Sequence, residues 1–274
     1  MALSIGVVSL SHNQGTYLLE AINSVLMQRP DNYVIYDCAS RDDSRKLLAT
    51  IQNSNVQKIL VEADSGPAEG LNVALANLEE DIFFYLNADD RLLPGAFAFA
   101  KEYFSLNPTC DILHGSVNLI DETGTIFKKL PAIRFSLWRY AIKACVVYQQ
   151  ATFIRKNILK ENAFNTENRV SWDGELIVDL AIAGAQIHKT NYLLGEFRVH
   201  RDSISSSGNY LQNLETEHCR ISRKILSSDP RIWERVAGIT IAMLEAIFRR
   251  IFNRSKNLPN KYKDDDLPSC IRLL

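Results

Sequence analysis

The sequence predicts an α/β fold: a Rossmann-like, mainly parallel sheet flanked by helices, followed by a C-terminal helical extension. Three observations carry this. Short apolar runs alternate with helical spacings from residue 3 to residue 106, the pattern of a parallel sheet covered on both faces. The first four apolar runs end in polar or acidic residues. From about residue 211 onward the pattern is helical only.

The elements follow in order. Residues 3–10 (LSIGVVSL) form an apolar run that is β-branched at its centre and ends in the polar stretch 11–15, a buried strand leading into a loop. Leu18, Ala21, Ile22, Val25 and Leu26 recur at helical spacing over 17–28, and Pro30 stops that helix. Residues 33–36 are a second strand closed by Asp37. Ser40 and Asp43 fit a capping box for a helix reaching about Gln52. A third strand is expected over 56–61, a helix over 68–78 and a fourth strand over 82–86. Pro94 stands where a further helix would begin, and that helix runs to about Leu106. Beyond it, 115–120 and 125–130 flank DETG at 121–124, a hairpin signal. A helix is expected over 171–183 and a strand over 192–199. The boundary to the extension is placed in SISSSGN near 205–212. This divides the chain into a domain over 1–207, with halves 1–106 and 107–207, and an extension over 208–274.

Composition excludes several classes. The 274 residues are 46% hydrophobic and 23% charged, ordinary for a globular chain able to bury a sizeable core. A net charge of −1 from 31 basic and 32 acidic residues argues against a nucleic-acid partner. Cys38, Cys110, Cys145, Cys219 and Cys270 are odd in number and far apart, which suits free thiols in a reducing cytoplasm and leaves no zinc-ligand spacing. The N-terminus lacks a basic n-region, so no signal peptide is expected. Residues 2–19 carry no formal charge, but Ser4, Ser9, Ser11, His12, Asn13 and Gln14 rule out a membrane span there.

In open α/β sheets the ligand lies beyond the carboxyl ends of the strands. Those ends carry residues 9–15, Asp37, 64–66 and 87–90. Asp89 and Asp90 are adjacent carboxylates at a strand end, where mutual repulsion favours a cation between them. Oxygen ligands suit Mg²⁺ or Mn²⁺, and an ion of that kind shares its shell with substrate phosphates.

These segments together resemble the family-2 glycosyltransferases of the GT-A fold. The matching pieces run in order over 3–203: Val8-Ser9-Leu10-Ser11-His12-Asn13 with Gly15 and Tyr17; Tyr33-Val34-Ile35-Tyr36-Asp37 with Ser40 and Asp42; Glu62-Ala63-Asp64-Ser65-Gly66 with Asn72; and Leu86-Asn87-Ala88-Asp89-Asp90. Gln149-Gln150-Ala151-Thr152-Phe153, Trp172-Asp173-Gly174-Glu175-Leu176 and Phe197-Arg198-Val199-His200 complete the series. The resemblance implies transfer of a sugar from a nucleoside diphosphate, UDP by default, with inversion at the anomeric carbon. It makes Asp90, Asp89 and His200 the metal residues for Mn²⁺ or Mg²⁺. Asn87 stands where the family has its first metal-motif Asp. Ser9, His12, Asn13, Asp37, Asp64, Gly66, Asn72, Asn87 and Asp89 fall to the nucleotide donor. Asp173 becomes the general base, with Glu175 ranked second, and Trp172 and Glu175 stand on the acceptor side. The implied acceptor is a saccharide or lipid-linked chain of bacterial surface polysaccharide or glycoconjugate synthesis.

Two other classes compete. A dinucleotide-dependent oxidoreductase needs a glycine-rich turn after the first strand, and Ser11-His12-Asn13-Gln14-Gly15 is not one. A nucleotide-sugar-binding module without catalysis is disfavoured by the presence of both Asp90 and Asp173. In the extension, residues 220–263 hold eleven basic and three acidic side chains. Within it Leu244, Ile247, Phe248 and Ile251 share one helical face. That face suits packing on the domain or on a second copy, or peripheral contact with the inner face of a membrane.

Overall fold

The computed structural model describes residues 2–51, 56–201, 203, 211–227 and 240. The strands are β1 (Ile5–Ser11), β2 (Asn32–Asp37), β3 (Val56–Val61), β4 (Ile82–Asn87), β5 (Arg91–Leu92), β6 (Ile112–Ile120), β7 (Ile126–Leu130), β8 (Thr152–Arg155) and β9 (Ile187–Arg198). The helices are α1 (Gly15–Leu26), α2 (Ser44–Ala49), α3 (Pro67–Leu75), α4 (Ala96–Leu106), α5 (Leu137–Ala141), α6 (Trp172–Ile182) and α7 (Leu211–Leu226). A short 3₁₀ turn, Gln149–Ala151, precedes β8.

Among the described residues, one sheet holds all nine strands in the order β3-β2-β1-β4-β8-β6-β9-β5, with β7 beside β6. The first four are parallel, as their alternation with helices predicts. β8 runs antiparallel between β4 and β6, and β5 pairs antiparallel with β9. The register sets the site. Ser11 pairs with Asp37, and Leu10 pairs with Asn87, so the carboxyl ends of β1, β2 and β4 form one edge.

Strand alternation sends side chains to two cores. Val7, Tyr33 and Phe84 face α1 and α4, where Phe84 stacks on Phe153 at 4.7 Å. Val8, Tyr36, Phe83 and Tyr85 face α3 and α6 together with Phe164, Trp172 and Leu176.

Several boundaries differ from expectation. The capping box at Ser40 and Asp43 does not form. Ser40 bonds Asp37 instead, its N–H and hydroxyl donating to the two carboxylate oxygens at 2.8 and 2.6 Å. With Ser40 taken, α2 starts only after Asp43, which makes no side-chain cap bond. α3 stops at Leu75 rather than 78. α4 begins at Ala96, two residues after Pro94, because Gly95 intervenes at φ 84°. The expected hairpin is present: Asp121 Oδ1 accepts from Thr123 N–H and Thr125 N–H, both at 2.9 Å. β5, β8 and α5 have two, four and five residues, too short to carry a readable period. Much of the expected boundary at 205–212, the apolar helical face at 244–251 and most of 220–263 lie outside the described residues. The described part of the extension, α7, packs on α5 and α6. Ile221 is fully buried there, and the Ser222 hydroxyl donates to the Ala141 carbonyl at 3.0 Å.

Candidate active site

The acidic turn after β4 is built from behind. Asp90 is buried, and its carboxylate accepts from the Arg198 N–H at 2.9 Å and the Gln150 Nε2 at 2.8 Å. Burial first, and the adjacent Asp89 second, push its carboxyl well above the usual carboxylate range. Asp89 is half-buried and takes His200 Nε2 on Oδ2 at 3.0 Å. Arg198, expected only as part of a motif, is the organiser. Its side chain is 1% exposed; Nε donates to the Asp89 carbonyl at 2.7 Å, Nη1 to the Asp121 carbonyl at 3.0 Å, and Nη2 pairs with Glu20. The guanidinium lies 4.6 Å from the Tyr17 ring centroid, and Tyr17 in turn touches the His200 ring at 5.1 Å.

This arrangement revises the expected metal residues. Asp90 has both oxygens engaged, so it braces the turn. His200 spends Nε2 on orienting Asp89. Among the described residues, no three His, Cys, Asp or Glu side chains surround one point. The donor set still fits a hard ion of the magnesium kind, which takes one or two carboxylates and fills its shell with water and substrate phosphate. Asp89 is the residue that would hold it. Asn87, half-buried at the end of β4, stands at the same edge.

The loops after β1 and β2 are laced together. His12 Nδ1 donates to the Cys38 carbonyl at 2.8 Å, and its Nε2 accepts from Asn13 Nδ2 at 3.0 Å, which orients the ring. Asn13 adopts φ 52°. Its N–H donates to Ser40 Oγ at 2.8 Å and its Oδ1 accepts from Arg41 N–H at 2.8 Å. Ser9 does not face this edge: it is fully buried and bonds the Tyr33 hydroxyl at 2.6 Å, because its position alternates into the core. Asp37 is fully buried too, with its carboxylate held by Ser40.

Asp64 Oδ1 accepts from the Cys38 thiol at 2.8 Å and from Gly66 N–H at 3.0 Å, while its Oδ2 has no hydrogen-bond partner among the described residues. Burial, and then the bond to Asp64, push the Cys38 thiol up to about 11. Gly66 has φ 149°, and a Cβ there would meet Arg169 Nη1 at 3.1 Å. Asn72 is not at the edge as a free amide. It is buried and clasps the Phe164 backbone, Nδ2 donating to O at 2.8 Å and Oδ1 accepting from N–H at 2.9 Å.

Asp173 sits in the first turn of α6. It lines a narrow cavity with Phe83, Tyr85, Gln149, Thr152 and Leu176. Burial raises its carboxyl above the ordinary value. The acceptor-side expectations for its neighbours change. Trp172 is buried in the core beside Tyr85, because a large ring at that helix position meets the sheet. Glu175 points away from the cavity and is 2% exposed. Its carboxylate pairs with Arg220 and accepts from Asn168 Nδ2 at 2.8 Å and Asn165 Nδ2 at 3.1 Å. Tyr85 joins the two acidic regions: burial raises its phenol, and Asp173 and then Asp90 raise it further.

The fold has counterparts among known proteins. A solved structure of residues 1–349 of TarS from S. aureus, in complex with UDP-GlcNAc, superposes with a TM-score of 0.64 at 18% identity, covering 92% of this chain and 74% of that one. The mannosyltransferase PcManGT from Pyrobaculum calidifontis, in complex with GDP-Man and Mn²⁺, gives 0.56 at 13% identity over 95% and 78%. Both likenesses concern the fold, a curled and mainly parallel sheet between helices. In sequence, an uncharacterized glycosyltransferase of Nostoc is 29% identical over 138 residues, 47% of this chain and 43% of that protein. The chain spans between 14% and 43% of the length of the curated relatives it matches. The sequence profile described as glycosyl transferase family 2 matches residues 7–161. Since that match runs from within β1 through β8 and takes in the whole acidic turn, over more than half of the chain, the protein belongs to glycosyl transferase family 2.

Proposed function

We propose that the protein transfers a sugar from a nucleoside diphosphate, UDP in the first instance, to an acceptor hydroxyl with inversion at the anomeric carbon. The acceptor fits a saccharide or lipid-linked chain of a bacterial surface polymer. The observation that carries the reading is that Asp173 lines one cavity with Tyr85 of β4, the strand that runs into Asp89 and Asp90 at its carboxyl end. The similar structures that hold UDP-GlcNAc and GDP-Man with Mn²⁺ support the donor class and the ion.

In this reading the edge formed by His12, Asn13, Asp64 and Gly66 receives the nucleotide, largely through backbone groups. Asp89, oriented by His200, would hold the ion. A bound divalent ion supplies charge neutralisation at the departing diphosphate. Asp173 takes the proton from the acceptor hydroxyl as that oxygen attacks the anomeric carbon. Burial raises its carboxyl above the ordinary value, which makes it a stronger base than a free aspartate.

Asp173→Asn tests the proposal. It keeps the shape and removes the proton acceptor, so turnover of UDP-GlcNAc should fall about 10²–10⁴-fold with unchanged binding of UDP. In the wild type the acid limb of kcat should lie above the ordinary Asp value of about 3.9, because the group must be ionised to act. The sign for stability is opposite. A carboxyl raised in the folded state favours folding at low pH, and that gain is lost as pH rises. Asp173→Asn should therefore melt no lower than the wild type at pH 7. Wild-type turnover in the variant would remove Asp173 from the mechanism.

A further inference from the structure

Glu175 and Asp173 lie two residues apart on α6 and have separate duties. The Glu175 carboxylate is a hub between segments. It pairs with Arg220 of α7, whose Nη1 donates at 2.8 Å, and Lys224 stands 3.8 Å away. It also accepts from Asn165 and Asn168. Asn168 Oδ1 in turn accepts the N–H groups of Ser171 at 2.9 Å and Val170 at 3.2 Å. The loop that carries Arg169 over Gly66 and the turn that carries Asp173 are thus fastened to one buried carboxylate. A second contact reaches the same turn: a Cβ on Gly174 would lie 2.3 Å from the Tyr140 hydroxyl of α5, and Tyr140 stacks on His218 of α7 at 5.9 Å. The family profile ends at residue 161, before α6 and α7.

We propose that Arg220 is a positioning residue for the transfer reaction: by holding Glu175 and, through Asn168, the first turn of α6, it fixes where Asp173 meets the acceptor. The inference rests on Asp173 acting as the base. Burial pulls the Glu175 carboxyl up, and the bonds from Arg220 and Asn168 outweigh it, so Glu175 is held ionised. A buried ionised carboxylate needs its partner. Without Arg220 the hub relaxes, and a displacement of about 1 Å at a reacting group costs on the order of 10²-fold in rate.

The test uses Arg220→Met, Arg220→Lys and the double variant Arg220→Met with Glu175→Gln, each on the full chain. Amide exchange over 172–176 reports the turn without any substrate. Hydrolysis of UDP-GlcNAc with Mn²⁺ reports the reaction, read as kcat and KM separately, with Asp173→Asn run in parallel. Arg220→Met should speed exchange at 172–176 and lower kcat roughly 10–100-fold, with KM for the donor within about twofold. Arg220→Lys should recover part of kcat. The double variant should regain melting temperature, since no unpaired carboxylate remains buried, but not kcat. Unchanged exchange at 172–176 in Arg220→Met overturns the proposal. So does recovery of kcat together with stability in the double variant, which is the signature of a merely structural tie. An active Asp173→Asn would mean that the base assignment itself has failed, whereas an inactive Asp173→Asn beside a fully active Arg220→Met refutes only the role of Arg220.

Discussion

Asp89 and Asp90 are neighbours with opposite surroundings, and single substitutions should separate them. Asp90 is buried between the Arg198 N–H and the Gln150 amide, two donors that a carboxylate satisfies with two acceptors. Asp90→Asn supplies one acceptor and turns an NH₂ toward the other donor, a mismatch worth about 1–3 kcal/mol. Its melting temperature should drop even without nucleotide. Asp89 gives one oxygen to His200, and the other is the one we assign to a cation. Asp89→Asn should hardly change the melting temperature of the free protein. A ligand present at a hundred times its Kd stabilises by about 2.7 kcal/mol, and the Mn²⁺-dependent part of that gain with UDP should vanish in Asp89→Asn. Thermal melts with and without UDP and Mn²⁺ check both outcomes; a full metal-dependent shift in Asp89→Asn would sink the assignment of the ion to that residue.

At the scale of elements, β9 and the 3₁₀ turn at Gln149–Ala151 are pressed together through Gly195. A Cβ there would lie 2.2 Å from the Gln150 carbonyl oxygen, a backbone atom that cannot swing aside. Gly195→Ala should therefore push the turn off β9 and pull the Gln150 amide from Asp90. Overpacking of this kind costs typically 1–3 kcal/mol, and urea unfolding should show it together with a weakened Mn²⁺ effect on UDP binding. A variant as stable as the wild type would mean that the turn has room to move. This contact also shows the limit of what the sequence discloses. The first half was legible because each strand there is a short apolar run, each following helix has its own period, and parallel pairing follows from the alternation. The polar strand ends, including Asp37, Asp64 and Asp89, then fall on one edge without further information. The second half was less legible: Thr152–Arg155 is four residues of an antiparallel strand inserted between β4 and β6, and nothing local announces it. Motif position assigns Ser9, Asp37 and Asn72 to the donor, while their side chains bond Tyr33, Ser40 and the Phe164 backbone. Motif position gives the backbone location and not the partner that captures the side chain.

At the scale of the molecule, one buried arginine joins segments that are far apart in the chain. Arg198 reaches Asp89 after β4, Asp121 and Glu122 in the hairpin between β6 and β7, and Glu20 on α1. Glu20 also pairs with Arg91, which pairs with Glu196 at 2.7 Å, and Glu196 accepts from Asn118 at 3.3 Å. The parallel part of the sheet and the part that follows α4 are thus held by a polar network as well as by strand pairing, with its centre directly behind the acidic turn. A methionine at 198 fills similar space but leaves the carbonyls of Asp89, Asp121 and Glu122 without that donor. Glu20 keeps Arg91, so it is not stranded. Leaving buried carbonyls without their donor costs about 1–3 kcal/mol each, and in a chain of this size each kcal/mol moves the melting temperature by about 2–4 °C. Arg198→Met should accordingly melt roughly 10 °C lower. Because the group is 1% exposed, salt should change the difference little. Arg198→Lys should recover only part of it, since one ammonium cannot reach carbonyls on both sides of the fork and Glu20 together. The Asp90 bond comes from the Arg198 backbone N–H and survives both substitutions, so UDP with Mn²⁺ should still stabilise the variants once they are folded. Loss of that stabilisation in Arg198→Lys, at a temperature where it is fully folded, would show instead that the guanidinium acts on the substrate edge itself.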